Sequence, residues 1–208
     1  MRVVLADNHA LVRQGVRALL EKAGIEVAGE ASDGQEALLL VAALHPEVAI
    51  LDIGMPLLNG LDAAREIQKA WPRTKTVLVT RHGEVQYVSE ALRAGAKGYV
   101  VKNQAATDLV EAVQQVARGG IYLSPHVSRA VVEAYLSKAD IPVDPLTPRE
   151  RQVLQMVGEG RSTKDVATIL GISAKTAESH RARLMRKLDI HETAGLVRYA
   201  IRRGLVQP

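Results

Sequence analysis

The strongest constraint on the fold is an alternation of short apolar runs with amphipathic segments over the first 120 residues. The apolar runs have the length and composition of strands and cover residues 2–6, 26–31, 48–51, 76–79 and 98–101. Between and after them, apolar residues recur with helical spacing over residues 10–22, 34–44, 59–69, 87–94 and 106–118. Because strands that alternate with helices pair in parallel, this pattern predicts a five-stranded parallel sheet covered by helices on both faces.

Polar residues follow four of the predicted strands at the points where those strands end. Asp7 and Asn8 follow the first strand, Asp52 the third, Thr80 the fourth and Lys102 the fifth. Open parallel sheets bind their ligands beyond these carboxyl ends. A carboxylate exposed there is suited to attack a phosphoryl donor, so Asp52 is the candidate nucleophile.

The same sheet edge is a candidate Mg²⁺ site. Asp7 and Asp52 supply two carboxylates and the Gly54 carbonyl is a further candidate ligand, while Mg²⁺ takes its remaining ligands from water and phosphate oxygens. Thr80 is expected to hydrogen-bond a phosphoryl oxygen, and Lys102 to neutralise another. These residues predict phosphoryl transfer that depends on positioning and charge compensation.

The carboxyl third predicts a helix-turn-helix. Thr147 and Glu150, with a proline between them at the first helical position, form one capping box, and Ser162 and Asp165 form a second. The turn at residues 171–173 then leads into a helix over residues 174–188, whose apolar face includes Ala177, Leu184 and Leu188. His180, beside that face, is interpreted as a packing residue because no second metal ligand is near it in sequence.

The opposite face of this last helix is polar and basic. It carries Lys175, Glu178, Ser179, Ala182 and Arg186, flanked by Arg181, Arg183 and Lys187. A helix of this kind can enter a DNA major groove while its arginines meet phosphates. The alternative is a basic helix that is merely solvated; the successive cap signals and the short turn favour the DNA-binding interpretation.

Charge and composition support this division of the chain. Residues 145–208 hold 12 basic and 6 acidic residues, so the predicted helix-turn-helix carries +6, whereas the whole chain carries +4. There is no cysteine, which suits a reducing cytoplasm, and the apolar run at residues 37–44 is too short to cross a bilayer. We therefore expect a soluble cytoplasmic protein that does not contact a membrane.

The amino-terminal motifs resemble a response-regulator receiver domain. The resemblance rests on Asp7-Asn8-His9, Asp52, Pro56, Thr80 and the run Gly98-Tyr99-Val100-Val101-Lys102. It implies a flavodoxin-like doubly wound fold, phosphorylation of Asp52 by a sensor histidine kinase, and an aromatic residue, Tyr99, that turns inward when Thr80 engages the phosphate. It also implies a protein that is not an enzyme beyond its own phosphoryl transfer and slow self-dephosphorylation.

The carboxyl third resembles a LuxR-type DNA-binding domain, and the pair of domains resembles the NarL/FixJ family. The motifs are residues 146–150, residues 160–164, Lys175-Thr176, His180-Arg181 and Lys187-Leu188. The resemblance implies binding of double-stranded DNA by Lys164 and Thr176 besides the residues of the polar face, with Glu178, Ser179 and Ala182 directed at bases. It also implies a homodimer, with Val197, Ala200 and Ile201 of the last helix as one candidate surface. The predicted organisation is a receiver at residues 1–121, a linker with a short helix at 122–144, and an all-α DNA-binding domain at 145–208.

Three positions depart from the receiver pattern. Asn8 replaces an acid and should weaken Mg²⁺ binding. Arg81 replaces a small residue and can pair with Asp52 or with the phosphate, or point into solvent, and Asn103 stands where many receivers have proline. One alternative is therefore a regulator that binds DNA without phosphorylation of Asp52. A second is a Mg²⁺-dependent phosphohydrolase, although such enzymes use an acid at the position of Gly54.

Overall fold

The computed structural model of the chain describes residues 1–102, 106–137 and 144–206, without the side chains of residues 106 and 107. These residues form two compact units, Met1–Val143 and Asp144–Pro208. The loop position Asn103 and most of the predicted tether at residues 138–145 lie outside the described residues.

The first unit alternates strands and helices from its start to its end. Its elements are β1 (Arg2–Ala6), α1 (Ala10–Lys22), β2 (Glu26–Ala31), α2 (Gly34–Leu44), β3 (Val48–Asp52), α3 (Gly60–Ala70), β4 (Lys75–Thr80), α4 (Val85–Arg93), β5 (Gly98–Val101), α5 (Ala106–Ala117), β6 (Tyr122–Leu123) and α6 (Pro125–Leu136). Every strand pair is parallel, in the order β2-β1-β3-β4-β5-β6. The predicted doubly wound α/β fold is confirmed.

The strand count was wrong, because the sheet has six strands rather than five. The sixth, β6, lies in residues predicted to be linker and pairs with β5 in the register Gly98↔Tyr122 and Tyr99↔Leu123. The Tyr122 amide donates to the Lys97 carbonyl at 2.9 Å, and the Ser124 amide donates to the Tyr99 carbonyl at 3.0 Å. Two residues are too few to show an alternating pattern, so β6 depends on the free edge of β5 for its existence.

Helices cover both faces of the sheet. Alternate strand residues point to opposite sides, and they form two separate apolar clusters. One cluster joins the strands to α2, α3 and α4 and includes the buried Tyr99. The other joins them to α1 and α5. Since the strand order reverses between β1 and β3, the segments that follow these two strands open a crevice at their carboxyl ends, where Asp7 and Asp52 lie.

The second unit is all-α, as predicted. It contains α7 (Pro148–Gly158), α8 (Thr163–Ile169), α9 (Ala174–Leu188) and α10 (Thr193–Arg202). Both capping boxes are formed, at Thr147 with Glu150 and at Ser162 with Asp165, and the Ser173 side chain caps α9. Between α8 and α9, Gly171 adopts a φ of 61°, a conformation that glycine reaches without steric cost.

No helix among the described residues is both long and apolar enough to cross a bilayer.

Candidate functional sites

Two carboxylates and one ammonium group meet at the carboxyl edge of the first unit's sheet. The Lys102 Nζ lies 2.8 Å from Asp7 Oδ2 and 2.9 Å from Asp52 Oδ1. Asp7 and Asp52 are buried, and Lys102 is largely buried. The structure therefore brings together three of the predicted site residues from β1, β3 and the end of β5.

Burial raises the pKa of Asp52 above its ordinary value, and the nearby Asp7 charge adds to this rise. The Lys102 charge and hydrogen bond act in the opposite direction, as does a hydrogen bond from the Gly54 amide to the carboxylate. The upward shift means that the Asp52 carboxylate is under-compensated by its surroundings. A cation that entered the crevice would relieve this deficit.

The segment that follows Asp52 is held close to it by tight backbone packing. A Cβ on Gly60 would lie 2.3 Å from the Asp52 carbonyl oxygen, so only glycine fits at the start of α3. In the same segment, Leu57 has a φ of 63°, in the left-handed region that costs a non-glycine residue energy. Strain and close packing of this kind support a segment with a required geometry beside the reactive carboxylate.

Thr80 and Tyr99 form a second part of the site. Thr80 is buried at the end of β4, and its Oγ1 accepts a hydrogen bond of 3.2 Å from the His82 amide. Tyr99 is fully buried, and its hydroxyl donates to the His82 carbonyl at 2.7 Å. Burial raises the pKa of Tyr99. The tyrosine thus lies inward in this structure, connected to Thr80 through the backbone of His82. An inward turn that depends on phosphorylation stays a prediction.

A further potential metal ligand lies beside the predicted ones. Asn8 is exposed, whereas the His9 Nδ1 lies 3.1 Å from Asp7 Oδ1. Ligand atoms of Asp7, His9 and Asp52 lie within 4.8 Å of one another. The two buried carboxylates fit a hard cation such as Mg²⁺. His9 is not among the predicted ligands, because in the sequence it only follows the Asp7-Asn8 pair, and the fold turns its ring toward Asp7.

Arg81 lies outside this group. Its side chain is exposed, and the described residues include no ion pair to it. The arginine is therefore in solvent rather than on Asp52, and pairing with a phosphate on Asp52 stays a prediction.

In the second unit, α9 presents the predicted polar face to solvent. Ala177 and Leu184 are buried on its inner face. Glu178, Ala182 and the side chains of Lys175, Arg183 and Arg186 are exposed, as is Lys164 on α8. For these four cations the described residues include neither an ion pair nor a side-chain hydrogen bond, so their charge is available to an anionic partner.

Three predicted DNA contacts are already engaged within the unit. The Ser179 Oγ donates to the Lys175 carbonyl at 2.9 Å, and the Thr176 Oγ1 lies 2.8 Å from the Ser173 Oγ. Lys187 donates to Glu150 Oε2 at 2.7 Å and to the Pro145 carbonyl at 3.2 Å. Since consecutive helix residues are 100° apart, Lys187 lies on the flank of α9 nearer α7 than Arg186 does.

His180 packs as predicted, but it is not fully satisfied. Its Nδ1 is buried and has no hydrogen-bond partner among the described residues. Burial lowers the pKa of His180, and the positive charges of Arg183 and Arg149 lower it further. The neighbouring Arg181 instead joins α9 to its surroundings, donating to Thr193 Oγ1 at 2.6 Å.

The predicted dimer surface on α10 needs correction at Ala200. This residue is fully buried in the unit's own core, where it lies close to Gly158 of α7. It cannot contact a second copy without unfolding the unit. Val197 and Ile201 are partly exposed, so a contact through α10 stays a prediction for these two residues alone.

Comparison with known proteins covers both units. A family profile described as "Response regulator receiver domain" matches residues 3–114, and one described as "Bacterial regulatory proteins, luxR family" matches residues 144–200. The transcriptional regulatory protein MctR of Rhizobium johnstonii is 41% identical over 99% of this chain and 95% of its own. The oxygen regulatory protein NreC of Staphylococcus carnosus is 35% identical over 99% of each chain.

Solved structures agree with these relatives. The structure of RcsB from Salmonella enterica serovar Typhimurium, bound to a promoter in the presence of the phosphomimetic BeF3-, is 28% identical. The match covers 96% of this chain and 97% of that one, with a TM-score of 0.67. A receiver unit with converging acidic residues, followed by a helix-turn-helix unit and matched end to end by such relatives, establishes that the chain belongs to the two-component response regulators with a LuxR-type DNA-binding domain.

Proposed function

We propose that Asp52 accepts a phosphoryl group from a sensor histidine kinase and that this controls dimerisation and promoter binding. The proposal rests on one observation: at the carboxyl edge of the sheet, the Lys102 ammonium group lies within 2.9 Å of a carboxylate oxygen of Asp7 and of Asp52. The family is one of transcription factors rather than enzymes, so the chemistry proposed for this chain is limited to its own phosphorylation and slow self-dephosphorylation. The cysteine-free sequence fits the reducing cytoplasm that we propose as its location.

In this proposal, each residue of the site has a separate task. Asp52 attacks the phosphorus while the bond between the phosphorus and the donor breaks, and the donor group departs. The Gly54 amide holds the Asp52 carboxylate in place, and the close packing at Gly60 holds its backbone. Lys102 leaves its bridging position between the carboxylates to neutralise a phosphoryl oxygen, and Thr80 donates its hydroxyl to another. Asp7, Asp52 and the Gly54 carbonyl would hold Mg²⁺, which would supply charge neutralisation. Because Asn8 is exposed and uncharged, binding of the ion is expected to be weak.

The signal then passes from Thr80 to Tyr99 in β5. Both hydrogen-bond the backbone of His82, so a phosphoryl group that draws the Thr80 hydroxyl away from the His82 amide also disturbs the Tyr99 contact. A phosphoryl group shifts the balance between two arrangements of this face only by its different affinity for them. We infer that this balance sets the tendency of the chain to dimerise.

The output is carried by α9. Its exposed amino-terminal half is proposed to enter the major groove of double-stranded DNA, with Glu178 and Ala182 at base edges. Lys164, Lys175, Arg183 and Arg186 are proposed to meet phosphates. We leave Lys187 out of this set because its ammonium group is already bonded to Glu150.

The test is Mg²⁺-dependent phosphorylation by acetyl phosphate, read by intact mass for the wild-type chain and for Asp52→Ala. Uptake of one phosphoryl group by the wild type and none by the variant is expected. Equal uptake by both proteins would contradict the assignment of Asp52.

A second candidate is a regulator that binds DNA without phosphorylation. It is favoured by Lys102, which already contacts both carboxylates, and by the exposed Asn8. Gel-shift affinity for a promoter fragment before and after treatment with the phosphodonor separates the two. An unchanged affinity, in a chain that takes up no phosphoryl group from acetyl phosphate or from its kinase, would support this candidate.

A further inference from the structure

Helix α6 has one apolar face against the receiver unit. Val127 is fully buried in the same apolar cluster as Tyr99, and Val131 packs against that cluster. The helix packs on α4, and the strand β6 before it covers the edge of β5. The face made by α4 and β5 is therefore occupied by the chain's own β6 and α6.

The opposite face of α6 is also apolar, yet no other described residue of the first unit covers it. Val132, Tyr135 and Leu136 are 55%, 81% and 74% exposed. Tyr135 and Leu136 follow Val132 by three and four residues, so the three side chains form one patch across a single helical turn. On α2, by contrast, the 72% exposed Leu39 is a single apolar residue, which is ordinary on a protein surface. A cluster indicates a binding surface where a single residue does not.

Charge beside this patch indicates what covers it. Arg129 and Glu133 are exposed on the same side of α6, one turn apart, and neither has an ion pair within residues 1–102, 106–137 and 144–206. When two such helices run antiparallel about a twofold axis near residue 131, Arg129 of one copy lies opposite Glu133 of the second. Val132 then lies beside the axis. The charged pair is thus complementary to itself, as an interface between identical chains must be.

We propose that Arg129, Val132, Glu133, Tyr135 and Leu136 of α6 form the contact with a second copy of this chain. The inference rests on the proposed function, in which the regulator acts as a homodimer whose formation follows phosphorylation. It assigns dimerisation to α6 rather than to Val197 and Ile201 of α10.

The attachment of α6 explains how the site at Asp52 reaches this contact. The buried Ser124 joins β6 to α6; its amide donates to the Tyr99 carbonyl at 3.0 Å, and its Oγ accepts from the Val101 amide at 3.2 Å. Val127 lies next to Gly83, in the segment between Thr80 and α4. A change at Thr80 and Tyr99 therefore moves the base of α6, and with it the position of the outer patch.

A charge exchange tests the contact in the full-length protein by sedimentation velocity over a range of concentrations, with and without phosphorylation by acetyl phosphate. Arg129→Glu places two acids face to face and should weaken dimerisation about tenfold, as should Glu133→Arg with two cations. The double variant carrying both changes should recover most of the wild-type affinity. Recovery identifies a direct pair, because a change that merely disturbed the fold would not be reversed by a second one.

An apolar variant and its control complete the test. Leu136→Ser should weaken dimerisation about tenfold, whereas the equally exposed Leu39→Ser should leave it unchanged. Any of three results would overturn the inference. The wild type would be monomeric at every concentration, or the single charge variants would dimerise as tightly as the wild type. In the third, Leu136→Ser and Leu39→Ser would weaken dimerisation equally. Phosphoryl uptake by mass and binding of the monomer to a DNA half-site are measured on the same variants. Both should be unchanged, so failure of Asp52 phosphorylation remains distinguishable from failure of the α6 contact.

Discussion

The salt dependence of DNA binding distinguishes the cations of α9 that meet phosphate from the one that does not. Arg186 is exposed and has no partner among the described residues, whereas the next residue, Lys187, is bonded to Glu150 at 2.7 Å. Both carry the same charge, and both were predicted to contact DNA. Only their positions around the helix differ, so the pair Arg186→Ala and Lys187→Ala isolates the effect of geometry.

The structure sets the expected size of the effect. Four exposed cations, Lys164, Lys175, Arg183 and Arg186, predict that log K falls with log salt with a slope of about −3.6 for each bound copy, at about 0.9 for each phosphate contact. Arg186→Ala should make the slope shallower by about 0.9. The affinity lost between about 50 and 200 mM salt then shrinks by about 3.5-fold. Lys187→Ala should leave the slope unchanged.

The Lys187 variant should instead lose stability. Burial acts to raise the pKa of Glu150, but hydrogen bonds from Lys187 and Thr147 outweigh it and hold the pKa below its ordinary value. Without Lys187, the buried carboxylate loses its counterion. Lys187→Ala should lower the unfolding free energy by about 1–2 kcal/mol. Removal of one partner from a fully buried ion pair costs about 3–5 kcal/mol, and the expected loss is smaller here because the Lys187 side chain is 38% exposed.

The assay is fluorescence anisotropy with a short duplex of mixed sequence, since the phosphate contribution does not depend on the operator. Thermal unfolding of each variant accompanies it. An Arg186→Ala slope equal to that of the wild type would refute the proposed DNA face. A Lys187→Ala slope reduced as much as that of Arg186→Ala would refute the inference that the Glu150 ion pair withholds this lysine from DNA.

Three further predictions follow from individual contacts. Asn8→Asp should tighten Mg²⁺ binding about tenfold by adding a carboxylate beside Asp7, measured by calorimetry; an unchanged affinity would place this side chain away from the ion. Gly60→Ala should cost about 1–3 kcal/mol in urea unfolding and slow phosphoryl uptake, because its Cβ would lie 2.3 Å from the Asp52 carbonyl oxygen. Gly15→Ala, with no atom within 4 Å of its Cβ, is the control and should be neutral or stabilising. His180 has a pKa below its usual 6.5 in the folded chain. On acidification, its imidazole therefore gains a proton in the unfolded chain before it does in the folded one. The unfolding free energy should fall as the pH drops through 6.5 and below. Urea unfolding of the wild type and His180→Gln at two pH values checks this, and an equally steep pH dependence in the variant would contradict it.

Local patterns in the sequence determined the fold class of this protein and placed its helix boundaries to within about two residues. Each predicted strand and helix exists, and both capping boxes form, because these features depend on residues only a few positions apart. The polar residues at strand ends could be predicted to meet because parallel strands end at one edge of a sheet. Periodicity also identified the inner face of α9 correctly at Ala177 and Leu184.

Only the tertiary structure decided which side chains are available. β6 forms because β5 offers a free edge, and two residues carry no periodic signal of their own. Lys187 and Glu150 are 37 positions apart, so their ion pair cannot be read from either helix alone. Ala200 was assigned to a surface, although α7 buries it. A helical pattern states which residues share a face; what that face meets depends on contacts that are distant in sequence, and these exist only once the chain has folded.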